Sequence, residues 1–173
     1  LEACKESEHV VDLLEQLVES GFSGESAAKL VNSVLNLQMR GGKFSTVDVS
    51  IIDLYTGMCH FLKAGAATTF IKRDQWVESI TSESMALGLV FPADYESLTK
   101  KLYNGDFLIM VTDGVLDALP EERAEETLKE IILQTHAKAP QELGRGILQK
   151  VLALCEYKAA DDMTVLAAGV WKK

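Results

Sequence analysis

No stretch of about 18 uninterrupted apolar residues occurs in this sequence, so no segment reads as a membrane span. Cysteine is scarce: Cys4, Cys59 and Cys155 stand far apart and odd in number. That pattern excludes a disulfide framework and any zinc spacing, and reads as reduced thiols in a cytoplasmic setting. Histidine is equally scarce, and His9, His60 and His136 share no spacing that suggests a common metal. Cations are outnumbered, with 17 Lys and Arg against 26 Asp and Glu and a formal net charge of -9. Such a balance argues against a nucleic-acid partner, which favours a basic face. The opening residues Glu2, Lys5, Glu6 and Glu8 do not read as a signal peptide. Internal repeats and low-complexity tracts are absent too. What remains is 173 residues, 47% hydrophobic and 25% charged, enough for one globular domain with its own core.

Periodicity organises that domain. Val10, Leu13, Leu14, Leu17 and Val18 recur at helical spacing, and Gly21 is a natural stop. Ser23 is placed to cap a second helix with Ala27, Leu30, Val31, Val34 and Leu35 on one face. Arg40-Gly41-Gly42-Lys43 then breaks the pattern. A β-branched run from Phe44 to about Leu54 predicts a strand, and Tyr55-Thr56-Gly57 a hairpin connection into Met58–Lys63. Further strands are expected at Thr69–Lys72, Gln75–Ile80, Tyr95–Leu102 and Asp106–Thr112, with a turn at Asn104-Gly105. Intervals this short imply mainly antiparallel pairing, because parallel crossovers need a dozen or more residues. After Asp113 helices return: Pro120 with Glu121 and Glu122 behind it opens one, and Pro140 another. The second carries Leu143, Ile147, Leu148, Val151, Leu154 and Cys155 as its stripe, and Thr164–Val170 closes the chain as a strand. The order predicts an α+β layered fold with helices covering sheet faces.

Two acidic motifs carry the chemistry. Ile109-Met110-Val111-Thr112-Asp113-Gly114 is an apolar strand running into an Asp-Gly step, and Asp161-Asp162-Met163-Thr164-Val165 opens the last strand. If those strands lie antiparallel and adjacent, Asp113 and Asp161 face one volume at the same rim. Hard oxygen donors without histidine or thiolate suit Mg²⁺ or Mn²⁺ better than Zn²⁺. Taken singly, each Asp is as readily a cap of a strand end or turn. Other polar residues have plainer readings. Glu121, Glu122, Glu125, Glu126 and Glu130 form a solvated helix face. Lys72-Arg73 is a solvated pair of hairpin cations, or an attractor of acidic substrate. Trp76 and Trp171 are core or edge packing, and Cys59 and Cys155 buried thiols. Thr46 is a packing or hydrogen-bonding residue rather than a catalyst. Asp117 is a helix cap or a carboxylate supporting the site.

From about Lys5 to Trp171 the chain resembles the PPM family of metal-dependent, protein phosphatase 2C-like serine/threonine phosphatases. Within it the chain is similar to the branch of the stage II sporulation protein E phosphatase domain. The resemblance is carried in order by Phe44–Leu54, Phe61-Leu62-Lys63-Ala64-Gly65-Ala66, Phe70-Ile71-Lys72-Arg73 and Gly88-Leu89-Val90, then by Gly105–Gly114 and Asp161–Val165. No one block is specific; six in sequence over nearly the whole chain are. The family's early Gly-Asp-Gly turn, whose aspartate bridges two metal ions, has no counterpart among residues 1–173, and Leu1–Ser7 is similar to the stretch just after it.

The resemblance implies a single PPM-type domain over residues 1–173, truncated at its N-terminus. Its fold would be an antiparallel β-sandwich flanked by helix pairs, in α-β-β-α layers, lacking the first strands. The sheet edge left open would be prone to pair with another molecule, which leaves a homodimer open. The catalytic residues would be Asp113 and Asp161, in a site for two Mn²⁺ or Mg²⁺ ions that comprises Asp113, Gly114, Asp161 and Asp162. Asp113 and Asp161 are its ligands, Gly114 frees the turn, and Asp162 stands beside them. Residues 5–40 would be a regulatory helix pair ending at a Gly41-Gly42 hinge; simple cover for a sheet is the plainer reading of the same helices. The implied partner is a phosphorylated STAS-type anti-sigma-factor antagonist in a sporulation or stress partner-switching pathway. The location is cytoplasmic, without direct membrane contact from this stretch, in a parent anchored to the membrane through an absent N-terminal region. Two rivals stand beside this reading. One is a non-catalytic binding module that keeps the fold, the other an unrelated phosphohydrolase or phosphoacceptor domain that merely contains Asp-Gly.

Overall fold

The amphipathic stretches at the start of the chain form two helices, α1 (Glu2–Glu19) and α2 (Gly24–Gln38). In the computed structural model, residues 2–38, 44–158 and 160–171 are described, with side chains from residue 7 onward and excluding residue 38. The expected break and hinge at Arg40–Lys43 and the side chain of Cys4 lie outside them. Two compact units emerge: residues 1–66 with 82–101, and residues 67–81 with 102–173.

In the first unit α1 stops at Gly21, whose φ of 89° is a left-handed conformation that costs glycine nothing. Ser23 then caps α2, its Oγ accepting from the Ser26 N–H at 3.3 Å. Strands β1 (Val47–Ile52), β2 (Met58–Ala64) and β5 (Ser97–Lys101) pair antiparallel in the order β1-β2-β5. Strand β1 is shorter than its β-branched run because Asp53 turns the chain: its Oδ1 accepts the N–H groups of Tyr55 and Thr56. Val10, Leu14, Val31 and Leu35 of the helices pack with Leu62 and Ala64 of β2. Each such side chain, when fully buried, stabilises the fold by about 1.5–3 kcal/mol. Asn32 is buried on α2 and clasps the distant loop at Gly88–Val90, donating to Val90 O at 3.0 Å and accepting from the Gly88 N–H at 2.7 Å.

Opposite each other in the β1–β2 register lie Asp48 and Lys63, ion-paired at 2.5 Å with Lys63 only 1% exposed. Burial holds the Lys63 amine below its ordinary range, and the adjacent carboxylate opposes that shift. Asp48 is thus committed to an ion pair between strands. Cys59 is buried on β2 as expected, and burial pushes its thiol up to about 11. Cys155 departs from expectation: it is half-buried past the end of its helix, as is natural for a capping position.

The second unit holds β3 (Thr69–Lys72), β4 (Val77–Ile80), β6 (Phe107–Val111) and β7 (Val165–Gly169), all antiparallel, in the order β4-β3-β6-β7. Strand β4 begins at Val77 rather than Gln75 because the Arg73 N–H bonds Trp76 O and closes the hairpin first. A turn does occur at Asn104-Gly105, with Gly105 at φ 91°, but the strands flanking it pair into different sheets. The faces explain this: β5 is largely exposed, whereas β6 is apolar throughout and takes an interior place between β3 and β7.

Three helices follow β6: α3 (Asp113–Asp117), α4 (Ala124–Gln134) and α5 (Pro140–Leu154). Pro120 precedes a 3-10 turn, Glu121–Arg123, rather than opening α4 directly. Leu128, Ile132, Leu143 and Ile147 bury against Phe70 and Ile109 of the sheet. Helix α5 lies on β7 at Gly144, where a Cβ would stand at ordinary contact distance, 3.5 Å from Val165 O. Leu154, expected in the α5 stripe, is exposed at the last helical position. Of the glutamates expected on a solvated face, Glu125 is partly covered and accepts from Thr68 Oγ1.

Lys72-Arg73 is not a solvated pair. Lys72 is buried, and its Nζ donates to Leu133 O at 3.1 Å, serving a carbonyl that the end of α4 leaves free. Arg73 lies 4.8 Å from the Trp76 ring and 5.2 Å from the Tyr103 ring, with Asp106 at 3.4 Å. An α+β fold of antiparallel sheets, each with a helix pair against it, is therefore what the sequence forms. No helix among the described residues is long and apolar enough to cross a membrane.

Candidate active-site rim

Strands β6 and β7 run antiparallel with Val111 opposite Val165, so the exit of one and the entry of the other share a rim of the sheet. One further rung continues the ladder: the Thr112 N–H bonds Thr164 O at 3.2 Å. The Thr112 side chain adds two more links. Its Oγ1 donates to Asp162 O at 3.2 Å and accepts from the Thr164 N–H at 2.9 Å. Helix α3 starts at Asp113 and is anchored by Val115, which is fully buried.

Gly114 closes the arrangement. A Cβ on it would meet Asp162 O at 2.5 Å and Asp162 C at 3.2 Å, so the backbone after Asp113 lies directly against the Asp161-Asp162 step. The two aspartates are held alike. Asp113 Oδ1 accepts the Gly114 N–H at 3.0 Å, and Asp161 Oδ1 accepts the Asp162 N–H at 2.7 Å. Each carboxylate is thus oriented through one oxygen by the peptide that follows it. Both residues are exposed, as is Asp162. Oxygen donors at a wet rim, with no sulfur or imidazole, match what a hard divalent cation that keeps its waters requires. Two carboxylates are a partial set, and among the described residues no group of three or more His, Cys, Asp or Glu could hold a metal.

The family model for stage II sporulation protein E (SpoIIE) matches residues 1–171. This chain belongs to the SpoIIE family. It is 32% identical to the stage II sporulation protein E of Bacillus subtilis over 95% of the chain, spanning 20% of that relative's length. It is 22% identical to the phosphoserine phosphatase RsbU of Bacillus subtilis, over 88% of this chain and 47% of that one. Among solved structures, the phosphatase domain of Bacillus subtilis SpoIIE from Mn-presoaked crystals matches with a TM-score of 0.73 and 32% identity. That match covers 94% of this chain and 72% of the solved one. The fold is therefore that of the PP2C-type phosphatase domains.

Within this SpoIIE-family chain, the rim gathers Asp113, Gly114, Asp161 and Asp162, the four residues singled out in the sequence. Asp117 ends α3 as an exposed residue. It does not cap the helix start, a place held by Thr112. His60 is exposed on β2 with its Nδ1 3.0 Å from Thr99 Oγ1. Trp171 packs edge-on against Phe107 at 5.7 Å between centroids, and Trp76 is half-exposed beneath Arg73. What sequence reasoning missed is the Thr112 hydroxyl. The one available signal was a threonine within each acidic motif, Thr112 directly before Asp113 and Thr164 two residues after Asp162.

Proposed function

We propose that this chain is the catalytic region of a metal-dependent phosphoserine/phosphothreonine protein phosphatase, with Asp113 and Asp161 as the metal-holding carboxylates. The observation that carries the reading is the Gly114–Asp162 contact, which sets those two residues side by side at one rim. Asp113 and Asp161 would hold Mn²⁺ or Mg²⁺, with Gly114 letting the Asp161-Asp162 backbone come against the turn after Asp113 and Asp162 standing beside them. Bound there, the metal supplies Lewis-acid activation of water and neutralises charge on the phosphoryl group. The reaction is hydrolysis: an O–P bond to water forms as the seryl O–P bond breaks, leaving serine and inorganic phosphate. With Asp113 and Asp161 taken up as metal ligands, water is the attacking group and the reading invokes no phosphoenzyme. In this reading α1 and α2 are a regulatory pair on a single PPM-type domain. The substrate is a phosphorylated STAS-type anti-sigma-factor antagonist, a choice supported by the likeness to SpoIIE and to RsbU.

A second reading, a binding module that keeps the fold without catalysis, is favoured by the partial ligand set. Mn²⁺-dependent phosphate release from a phosphoserine-bearing STAS protein separates the two. Turnover that disappears in Asp113→Asn and in Asp161→Asn supports the phosphatase. Unchanged turnover in either variant refutes the assignment, and absence of turnover in the longest natural form of the protein favours the binding module.

A further inference from the structure

We infer that Thr112 is a positioning residue of this site, holding the Asp161-Asp162 step at the distance from Asp113 that metal binding needs; this rests on the metal-site reading above. Three hydrogen bonds link Thr112 to residues 162–164: its N–H to Thr164 O, its Oγ1 to Asp162 O, and the Thr164 N–H to its Oγ1. The pairing of named strands ends at Val111 and Val165, and beyond them Thr112 makes these bonds while Gly114 lies against Asp162. The hydroxyl donates to Asp162 O and accepts from the Thr164 N–H, so its proton and one lone pair are engaged in the clasp. Asp161 lies in a loop before its strand, whereas Asp113 opens a helix seated in the core by Val115. The clasp therefore fixes the less anchored carboxylate relative to the better anchored one. Groups that orient metal ligands in this way typically change affinity 10–100-fold when removed.

Thr112→Val keeps the shape, the strand preference and the backbone rung but removes both side-chain bonds; Thr112→Ser restores them. Two NMR readouts on the chain test the role. Amide exchange reads the clasp itself: Thr164 N–H exchange is expected to speed about tenfold in Thr112→Val while Leu108 and Ile109 stay protected. Paramagnetic broadening of the Gly114 and Asp162 amides by Mn²⁺ reads the site without any turnover. The Mn²⁺ concentration for half-broadening is expected to rise about 10–100-fold in Thr112→Val and to stay near wild type in Thr112→Ser. An unchanged Mn²⁺ response in Thr112→Val overturns the proposal, as does an equal loss in Thr112→Ser. An Asp113→Asn chain that still broadens like wild type overturns instead the metal-site reading beneath it.

Discussion

Replacing Gly114 with alanine puts the close approach of the two acidic motifs to a quantitative test. Gly114 has an ordinary helical backbone, so alanine meets no φ penalty, and helix propensity alone favours it by about 0.8–1 kcal/mol. Opposing that gain is a Cβ 2.5 Å from Asp162 O, where a carbon and a carbonyl oxygen need about 3.3 Å. The neighbour is backbone, so Asp162 must move by about 0.8 Å, and the clasp from Thr112 at 3.2 Å stretches with it. Overpacking of this kind costs about 1–3 kcal/mol, so the net loss is about 1 kcal/mol. In a chain of this size that lowers Tm by about 2–4 °C. The effect on the site is larger, since a displacement near 1 Å at a reacting centre can cost about 100-fold. Thermal melting and Mn²⁺ titration, followed by broadening of the Asp162 amide, read the two effects separately. A Gly114→Ala chain as stable as wild type that binds Mn²⁺ equally well would refute the argued proximity.

Gly144→Ala is the contrasting case. Its Cβ would sit at ordinary contact distance, 3.5 Å from Val165 O, so stability should hold or rise by up to about 1 kcal/mol in urea unfolding; a loss above that would show β7 packed tighter on α5 than described. Lys63→Met strips the ammonium from Asp48 between β1 and β2 and should cost about 3 kcal/mol. A loss below about 1 kcal/mol in the same assay would mean that the pair is solvated. The Cys59 thiol, raised by burial from 9.0 to about 11, keeps its proton in the folded chain over a range where the unfolded chain releases it. Its contribution to stability is thus full below pH 9 and is lost as pH rises through about 11. Lys63, lowered by burial, acts in the opposite sense as pH approaches 10.5, so thiolate absorbance compared with Cys59→Ala is the cleaner readout. A Cys59 titration midpoint near 9 would contradict the burial argument.

The elements were legible where local chemistry decides them. The apolar stripe and Gly21 define α1, Ser23 starts α2, and Pro140 at the first position of α5 matches its fixed φ and missing N–H. Sheet membership was not legible in the same way. Asn104-Gly105 turns the chain as its residues demand, but only the burial of β6 on both faces separates it from β5. Lys72 was misread because two adjacent cations look like surface; the free carbonyl of Leu133 that Lys72 serves lies 61 residues away. The candidate site divides along the same line. Asp113-Gly114 and Asp161-Asp162 are visible as motifs, and the family resemblance put them in order. The Thr112 hydroxyl acts on residues 50 and 52 positions away, a relation with no local pattern.

The most direct test of the central claim is anomalous scattering from a Mn²⁺-soaked crystal of the protein. A peak within roughly 2.1 Å of a carboxylate oxygen of Asp113 and of a carboxylate oxygen of Asp161 is the predicted result. Mn²⁺ bound elsewhere, with both rim carboxylates free of it, would contradict the account.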